Sequence, residues 1–167
     1  MQSPTQLASI LVWTALLVLA PCGQAEPVIQ TGVPFATKDK PQSKLWYAHG
    51  SWWAWLPVKG GSGVWRRTGA GWRREFHLDP ALRGLPGQAD VWADGDGVRA
   101  VLVGPDELVT VALKWQSGRY VPDGTPIRWK SSGSPSETAT IARGSDGLWW
   151  VAYDSRKQIL LRGSIDR

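Results

Sequence analysis

Apolar and polar positions alternate with a period of two through Lys44-Leu-Trp-Tyr-Ala-His-Gly-Ser-Trp-Trp-Ala-Trp-Leu56. Such alternation marks strands, and the break at Gly50 marks a tight turn between two of them. The pattern returns at Ala89-Asp-Val-Trp-Ala-Asp-Gly-Asp-Gly-Val-Arg-Ala-Val-Leu102 and at Ala139-Thr-Ile-Ala-Arg-Gly-Ser-Asp-Gly-Leu-Trp-Trp-Val-Ala152. Placing Trp46, Trp92 and Ile141 in register gives spacings of 46 and 49 residues. Hairpins repeating at that interval predict the blades of a β-propeller.

The first repeat predicts strands near 43–48, 52–57, 63–68 and 72–76, with turns at Gly60-Gly-Ser-Gly63 and Gly69-Ala-Gly71. The second predicts strands near 89–93, 98–103, 108–115 and 119–121, and Tyr120 takes the place of Trp72. Asp94-Gly-Asp-Gly97 is a strong hairpin turn, since such residues accept the positive φ that the strand twist demands. The third repeat predicts strands near 139–143, 148–153 and 157–162, without a complete fourth. Leu78–Gly87 and Pro122–Pro135 read as linkers, each with prolines. The expected fold is all-β, with propeller-like blades of four antiparallel strands over about 42–78, 88–122 and 137–167, just under three blades in the chain. An open stack of blades exposes an edge strand and apolar blade faces. The expectation is therefore that this is a piece of a longer propeller, that copies close a ring, or that three sheets pack in another way.

Leu7–Ala20 is an apolar run, and Gly23-Gln-Ala25 offers small residues before Glu26. Together they predict a secretory signal over 1–25, although Met1–Gln6 carries no Lys or Arg. An uncleaved anchor and a lipoprotein attached at Cys22 are the other readings of this stretch. Cleavage leaves no stable membrane insertion and places the mature chain in the periplasm or outside the cell. Residues 26–41 form an entry segment in which Pro34 and Pro41 forbid a helix, and Val28-Ile29 could add a strand to a distant blade. Cys22 is the only cysteine and would leave with the signal, so the mature chain has no disulfide, thiolate nucleophile or cysteine metal site. Stability must come from packing or from closing against something else.

Composition changes the picture in one respect. The chain is 43% hydrophobic and carries a net charge of +5, both unremarkable, but it has 12 Trp. Alternation sends Trp52 and Trp53 to opposite faces of one strand, so one set of tryptophans packs between blades and another is left for neighbouring strands or ligands. Trp65, Trp72, Trp115 and Trp129 lie toward the periphery or the linkers. Trp72 and Trp129 are the ligand candidates among them, because an indole combines an apolar face for a sugar ring with an N–H donor. The entries to the innermost strands carry Gln42-Ser-Lys44, Gln88-Ala-Asp90 and Glu137-Thr138 at matching places. Gln42, Lys44, Gln88, Asp90 and Glu137 would converge at the mouth of a propeller channel, where ligand sites collect. The structural alternative is a set of solvated strand ends, with Lys44 pairing to Asp90 between blades.

Arg66, Arg67, Arg73 and Arg74 make a basic hairpin, read as a solvated edge that resists pairing or as a surface for an acidic glycan or lipid headgroup. No RNA-binding signature accompanies them, and no nucleic-acid partner is expected. Asp94-Gly-Asp-Gly97 lacks the remaining ligand positions of a calcium loop, and His49 and His77 are too isolated for zinc, so no metal or cofactor is expected. No catalytic residue is assigned. A glycosidase needs two carboxylates at a set separation; Asp90 and Glu137 are the pair that could meet across blades.

Lys40-Pro-Gln-Ser-Lys-Leu-Trp-Tyr47, Trp52-Trp53, Ala89-Asp-Val-Trp-Ala-Asp94 and Glu137-Thr-Ala-Thr-Ile-Ala142 resemble the sialidase-like, BNR-type β-propeller proteins of bacteria, over about residues 38–167. The resemblance implies an exported propeller. The chain departs from true sialidases in lacking an early Arg-Ile-Pro-like motif, and Ser145-Asp-Gly-Leu-Trp149 has Asp-box residue types at another spacing. Small Trp-rich lectins built of two blades per chain, which close a ring by trimerising, are a looser likeness. The functional expectation is an exported binding or scaffold protein that recognises carbohydrate at the cell envelope. Its partners would be a glycan or acidic polysaccharide, and further copies or the missing blades of a longer chain. The alternative is a fragment of a sialidase-like glycoside hydrolase.

Overall fold

The computed structural model describes residues 29–34, 36, 42–131, 135–155 and 157–164. The expected signal over 1–25, and much of the entry segment, lie outside the described residues. The described residues form three antiparallel sheets in sequence order. The first comprises β1 (Leu45–Ala48), β2 (Ser51–Val58), β3 (Gly61–Thr68) and β4 (Gly71–Arg74) as a simple meander. A 3-10 turn at Phe76–Leu78 and a single helical turn α1 (Asp79–Leu82) lead to the second sheet. That sheet comprises β5 (Gln88–Asp94), β6 (Gly97–Val103), β7 (Glu107–Gln116), β8 (Arg119–Pro122) and β9 (Ile127–Lys130). The third comprises β10 (Ala139–Arg143), β11 (Trp149–Ser155) and β12 (Gln158–Gly163). The all-β class and the blade-like sheets thus stand as read from the pattern.

Two features differ from the sequence reading. The stretch Pro122–Pro135 is more than a linker, because β9 lies within it and pairs with β7. β7 is 10 residues long. One end pairs with β8 through Leu113–Gln116 and the other with β9 through Glu107–Thr110, so two short strands share the outer place. The second difference is one of register. Trp46 faces the second sheet, and Asp90, two residues before Trp92 on the same face of β5, bonds to the third. The corresponding face of β10 carries Thr140 and Ala142, both exposed, whereas Ile141 is buried back against the second sheet. A one-residue offset moves a side chain to the opposite face of a strand.

Type I′-like turns close the tightest hairpins. His49 and Gly50 have φ of 51° and 71°, and Ser117 and Gly118 have 51° and 81°. Positive φ at both loop residues matches the twist of the flanking strands.

Two cores hold the sheets together. Between the first and second lie Trp46, Trp53, Trp55, Val64, Val98, Ala100, Leu102, Val111 and Tyr120, closed at one end by Leu78, Leu82 and Leu85 of the connecting turn. Trp53 and Trp55 are fully buried, while their neighbour Trp52 is 51% exposed, as the alternation of β2 requires. Trp46 stacks on Trp53 at 6.1 Å and donates its indole N–H to the Tyr120 hydroxyl at 3.3 Å. A buried Trp removes roughly 150–250 Å² from water, about 4–6 kcal/mol before ordering costs. Between the second and third sheets a smaller core gathers Val101, Val103, Leu108, Ala139, Ile141, Val151 and Tyr153. The outward faces of the end sheets remain apolar. Leu45, Tyr47 and Trp52 are exposed on the first, and Trp150, Ile159 and Leu161 on the third.

Candidate functional site

The polar residues expected at the channel mouth are partly brought together, as a clasp. Asp90 is buried on β5, the central inner strand. Its Oδ1 accepts the backbone N–H of Ser43, just before β1, at 2.6 Å. Its Oδ2 accepts the Thr140 hydroxyl at 2.7 Å and the Ile141 N–H at 2.9 Å, both from β10. One carboxylate therefore ties the first and third sheets to the second. Gln42 extends the clasp by donating its side-chain amide to the Ala139 carbonyl at 2.8 Å. The Lys44 ammonium donates to the Gln42 Oε1 at 3.4 Å. Burial holds the Lys44 pKa below its ordinary value, and the charge of Asp90 works in the opposite direction. Lys44 and Asp90 are thus electrostatic neighbours across two sheets. Gln88 begins β5 and is half-buried. Glu137 is exposed, and its backbone N–H donates to Asp154 Oδ1 at 2.8 Å. The same oxygen accepts the Thr138 N–H at 2.7 Å, so Asp154 secures the start of β10 as Asp90 secures its middle. Gln42 and Lys44 also line a hollow of about 430 Å³ with Ile29, Leu45, Ala54 and Leu56.

The two candidate tryptophans sit on different sheets. Trp72 on β4 packs half-buried against the outward side of the first sheet, beside Trp65 and Leu56. Trp129 on β9 faces the third sheet. There it meets Trp149 of β11 as a wall of one cleft, whose hollow of about 100 Å³ is also lined by Arg99, Thr110, Ile141 and Arg162. A second hollow of about 200 Å³ shares Arg99 and Trp149 with it and reaches Asp94, Asp123 and Arg143. The cleft follows from strand parity. Arg99 lies two residues from Val101 on β6, and Arg162 two residues from Leu160 on β12, so both arginines stand on the faces that elsewhere form the core between the sheets. Arg99 lies 4.8 Å from the Trp149 ring centroid, and Arg162 lies 5.1 Å from that of Trp129. Guanidiniums at such distances are held by the electron-rich indole face.

Trp129 Nε1 is buried and has no hydrogen-bond partner. An orphaned buried donor costs about 1–3 kcal/mol, and Trp55 Nε1 in the core between the first and second sheets is in the same position. Alternation alone would have found Arg99 and Arg162, as charged residues on the inward faces of apolar strands; the sequence reading instead weighed the arginines of the basic hairpin. Those are divided by parity. Arg66 reaches over Trp53, on the side of the second sheet, and Arg74 lies over Trp65 and pairs with Asp79 at 3.0 Å.

Among the described residues no group of three or more His, Cys, Asp or Glu could hold a metal ion, and no helix is long and apolar enough to cross a membrane. Comparison with protein-family models, with curated proteins and with solved structures finds no match to this chain.

Proposed function

We propose that this is an exported binding protein that holds a carbohydrate, without turning it over, in the cleft between its second and third sheets. The observation that carries the reading is the pair of indoles, Trp129 and Trp149, lining one hollow together with the polar groups of Arg99, Thr110 and Arg162. Flat apolar faces suit sugar rings, and guanidinium and hydroxyl groups beside them suit sugar oxygens. The reading favours binding over hydrolysis because both Asp90 oxygens are engaged by groups of neighbouring sheets, which leaves the expected carboxylate pair without a free member on β5. Export rests on the apolar stretch Leu7–Ala20 and the small residues before Glu26. Further blades, from a longer chain or from copies of this one, are the partners expected on the exposed apolar faces of the first and third sheets.

The test is a titration of intrinsic tryptophan fluorescence with a panel of plant, bacterial and animal oligosaccharides. Saturable quenching that is lost in Trp149→Ala and kept in Trp72→Phe is expected, with no new reducing ends released. Quenching that survives Trp149→Ala but disappears in Trp72→Phe would place the ligand elsewhere and overturn the proposal.

A further inference from the structure

The cleft has a charge imbalance that a neutral sugar would not use. Arg143 lies 5.7 Å from the Trp149 ring and is paired with Asp94. Asp123 is paired with Lys114 at 3.2 Å, and Glu107 at the far end of β7 with Arg128 at 2.7 Å. Every carboxylate named at or beside the cleft is thus matched by its own cation. Arg99 and Arg162 remain, and among the described residues neither is in an ion pair. They come from opposite sheets, and both line the same hollow.

Resting this step on the carbohydrate reading above, we propose that the cleft's ligand is an anionic saccharide, one bearing a carboxylate or a sulfate. Arg99 and Arg162 take the acid group from two sides, while the sugar ring lies against the aromatic wall and its neighbouring oxygens reach the Thr110 hydroxyl. The chemistry follows from the cations. Guanidinium has five N–H donors in a planar fork, so one held over an indole face retains donors for an oxyanion. Charge-assisted hydrogen bonds of this kind are about twice as strong as neutral ones, and a partly desolvated cleft screens them less than open surface does. The carboxylates that would repel such a ligand, Asp94 and Asp123, are each already neutralised.

Calorimetric titrations with hexagalacturonate, a sulfated hexasaccharide and the neutral xylohexaose, at 0.15 M salt, test the inference. At least one acid is expected to bind tenfold or more tightly than xylohexaose, and which acid does so separates carboxylate from sulfate recognition. Arg99→Gln and Arg162→Gln should each weaken that binding by about tenfold, the loss of one charge-assisted hydrogen bond. Arg162 is exposed, so Arg162→Gln should leave the melting temperature unchanged and report on the ligand alone. Arg73→Gln, on the exposed hairpin of the first sheet, should leave affinity unchanged. Equal affinity for xylohexaose and the acids, indifferent to Arg162→Gln, would keep the carbohydrate reading and overturn the anionic one. An equal loss in Arg73→Gln would reduce the effect to general surface charge and overturn it too. Failure of all three saccharides to bind would overturn both readings.

Discussion

Replacing Asp90 should cost more stability than any other single polar change, because this carboxylate serves three donors on two neighbouring sheets. In Asp90→Ala the Thr140 hydroxyl can rotate, but the N–H groups of Ser43 and Ile141 are fixed by the backbone. An orphaned buried amide costs about 1–3 kcal/mol, so Ile141, with a smaller share from the part-buried Ser43 bond, puts the loss on the order of 2–4 kcal/mol. The neighbouring Lys44 ammonium also loses the charge that opposes its burial. Asp90→Asn keeps the shape and one carbonyl acceptor, but its NH2 meets a donor on one side; roughly half the loss, about 1–2 kcal/mol, is expected. Against a typical domain stability of about 5–15 kcal/mol, the alanine change is severe. Urea unfolding followed by tryptophan fluorescence reads it directly. A double-mutant cycle with Thr140→Val isolates the contact. Thr140→Val alone should cost about 1 kcal/mol and should cost almost nothing in the Asp90→Ala background. An Asp90→Ala protein within about 0.5 kcal/mol of wild type, or additive effects of the two changes, would refute the idea that one carboxylate clasps the sheets.

Adjacent tryptophans of β2 should respond oppositely. Trp53→Ala, in the core, should cost about 3–5 kcal/mol in the same assay, and Trp52→Ala, half in solvent, under about 1 kcal/mol. Burial raises the Tyr120 pKa above its ordinary 10.0, with the Trp46 indole N–H opposing the shift and the Asp96 charge adding to it. Above pH 10 the unfolded chain therefore ionises a phenol that the folded chain keeps protonated, so the folded state binds more protons and stability falls as pH rises. Comparing urea midpoints at pH 9 and 11 should show a smaller fall in Tyr120→Phe than in wild type. Ile159 and Leu161 are 71% and 70% exposed on β12. Replacing both with Lys should leave the melting temperature unchanged and abolish any concentration-dependent rise in molar mass measured by light scattering of residues 26–167.

Much of this architecture was legible because hairpins announce themselves locally. His49-Gly50, Asp94–Gly97 and Ser117-Gly118 carry their turn chemistry in the residues, and the alternation of β2 sorts Trp52 from Trp53 without any tertiary information. β9 was not legible in that way. Ile127-Arg-Trp-Lys130 is four residues long and follows Pro122-Asp-Gly-Thr-Pro126; only the unusual length of β7 offers it a partner. Ile141 illustrates the other limit, since a repeat aligned by residue type does not fix which face a position takes. The clasp was half legible. Matching places at three strand entries located Gln42, Lys44 and Asp90, but the preference of a buried carboxylate for fixed backbone donors, and not for a ligand, appears only when the strands are set side by side. The aromatic cleft depends on two sheets meeting: Trp129 was recognisable alone and alternation marks Arg99 and Arg162 as inward charges, but their convergence with Trp149 was not legible.

The most direct test of the central claim is the two-dimensional ¹⁵N–¹H spectrum of the indole N–H groups during titration with hexagalacturonate. The account predicts that the Trp129 and Trp149 resonances move together and saturably, while those of Trp46 and Trp53 stay in place. Movement confined to Trp52 or Trp72, with Trp129 unchanged at saturation, would contradict it.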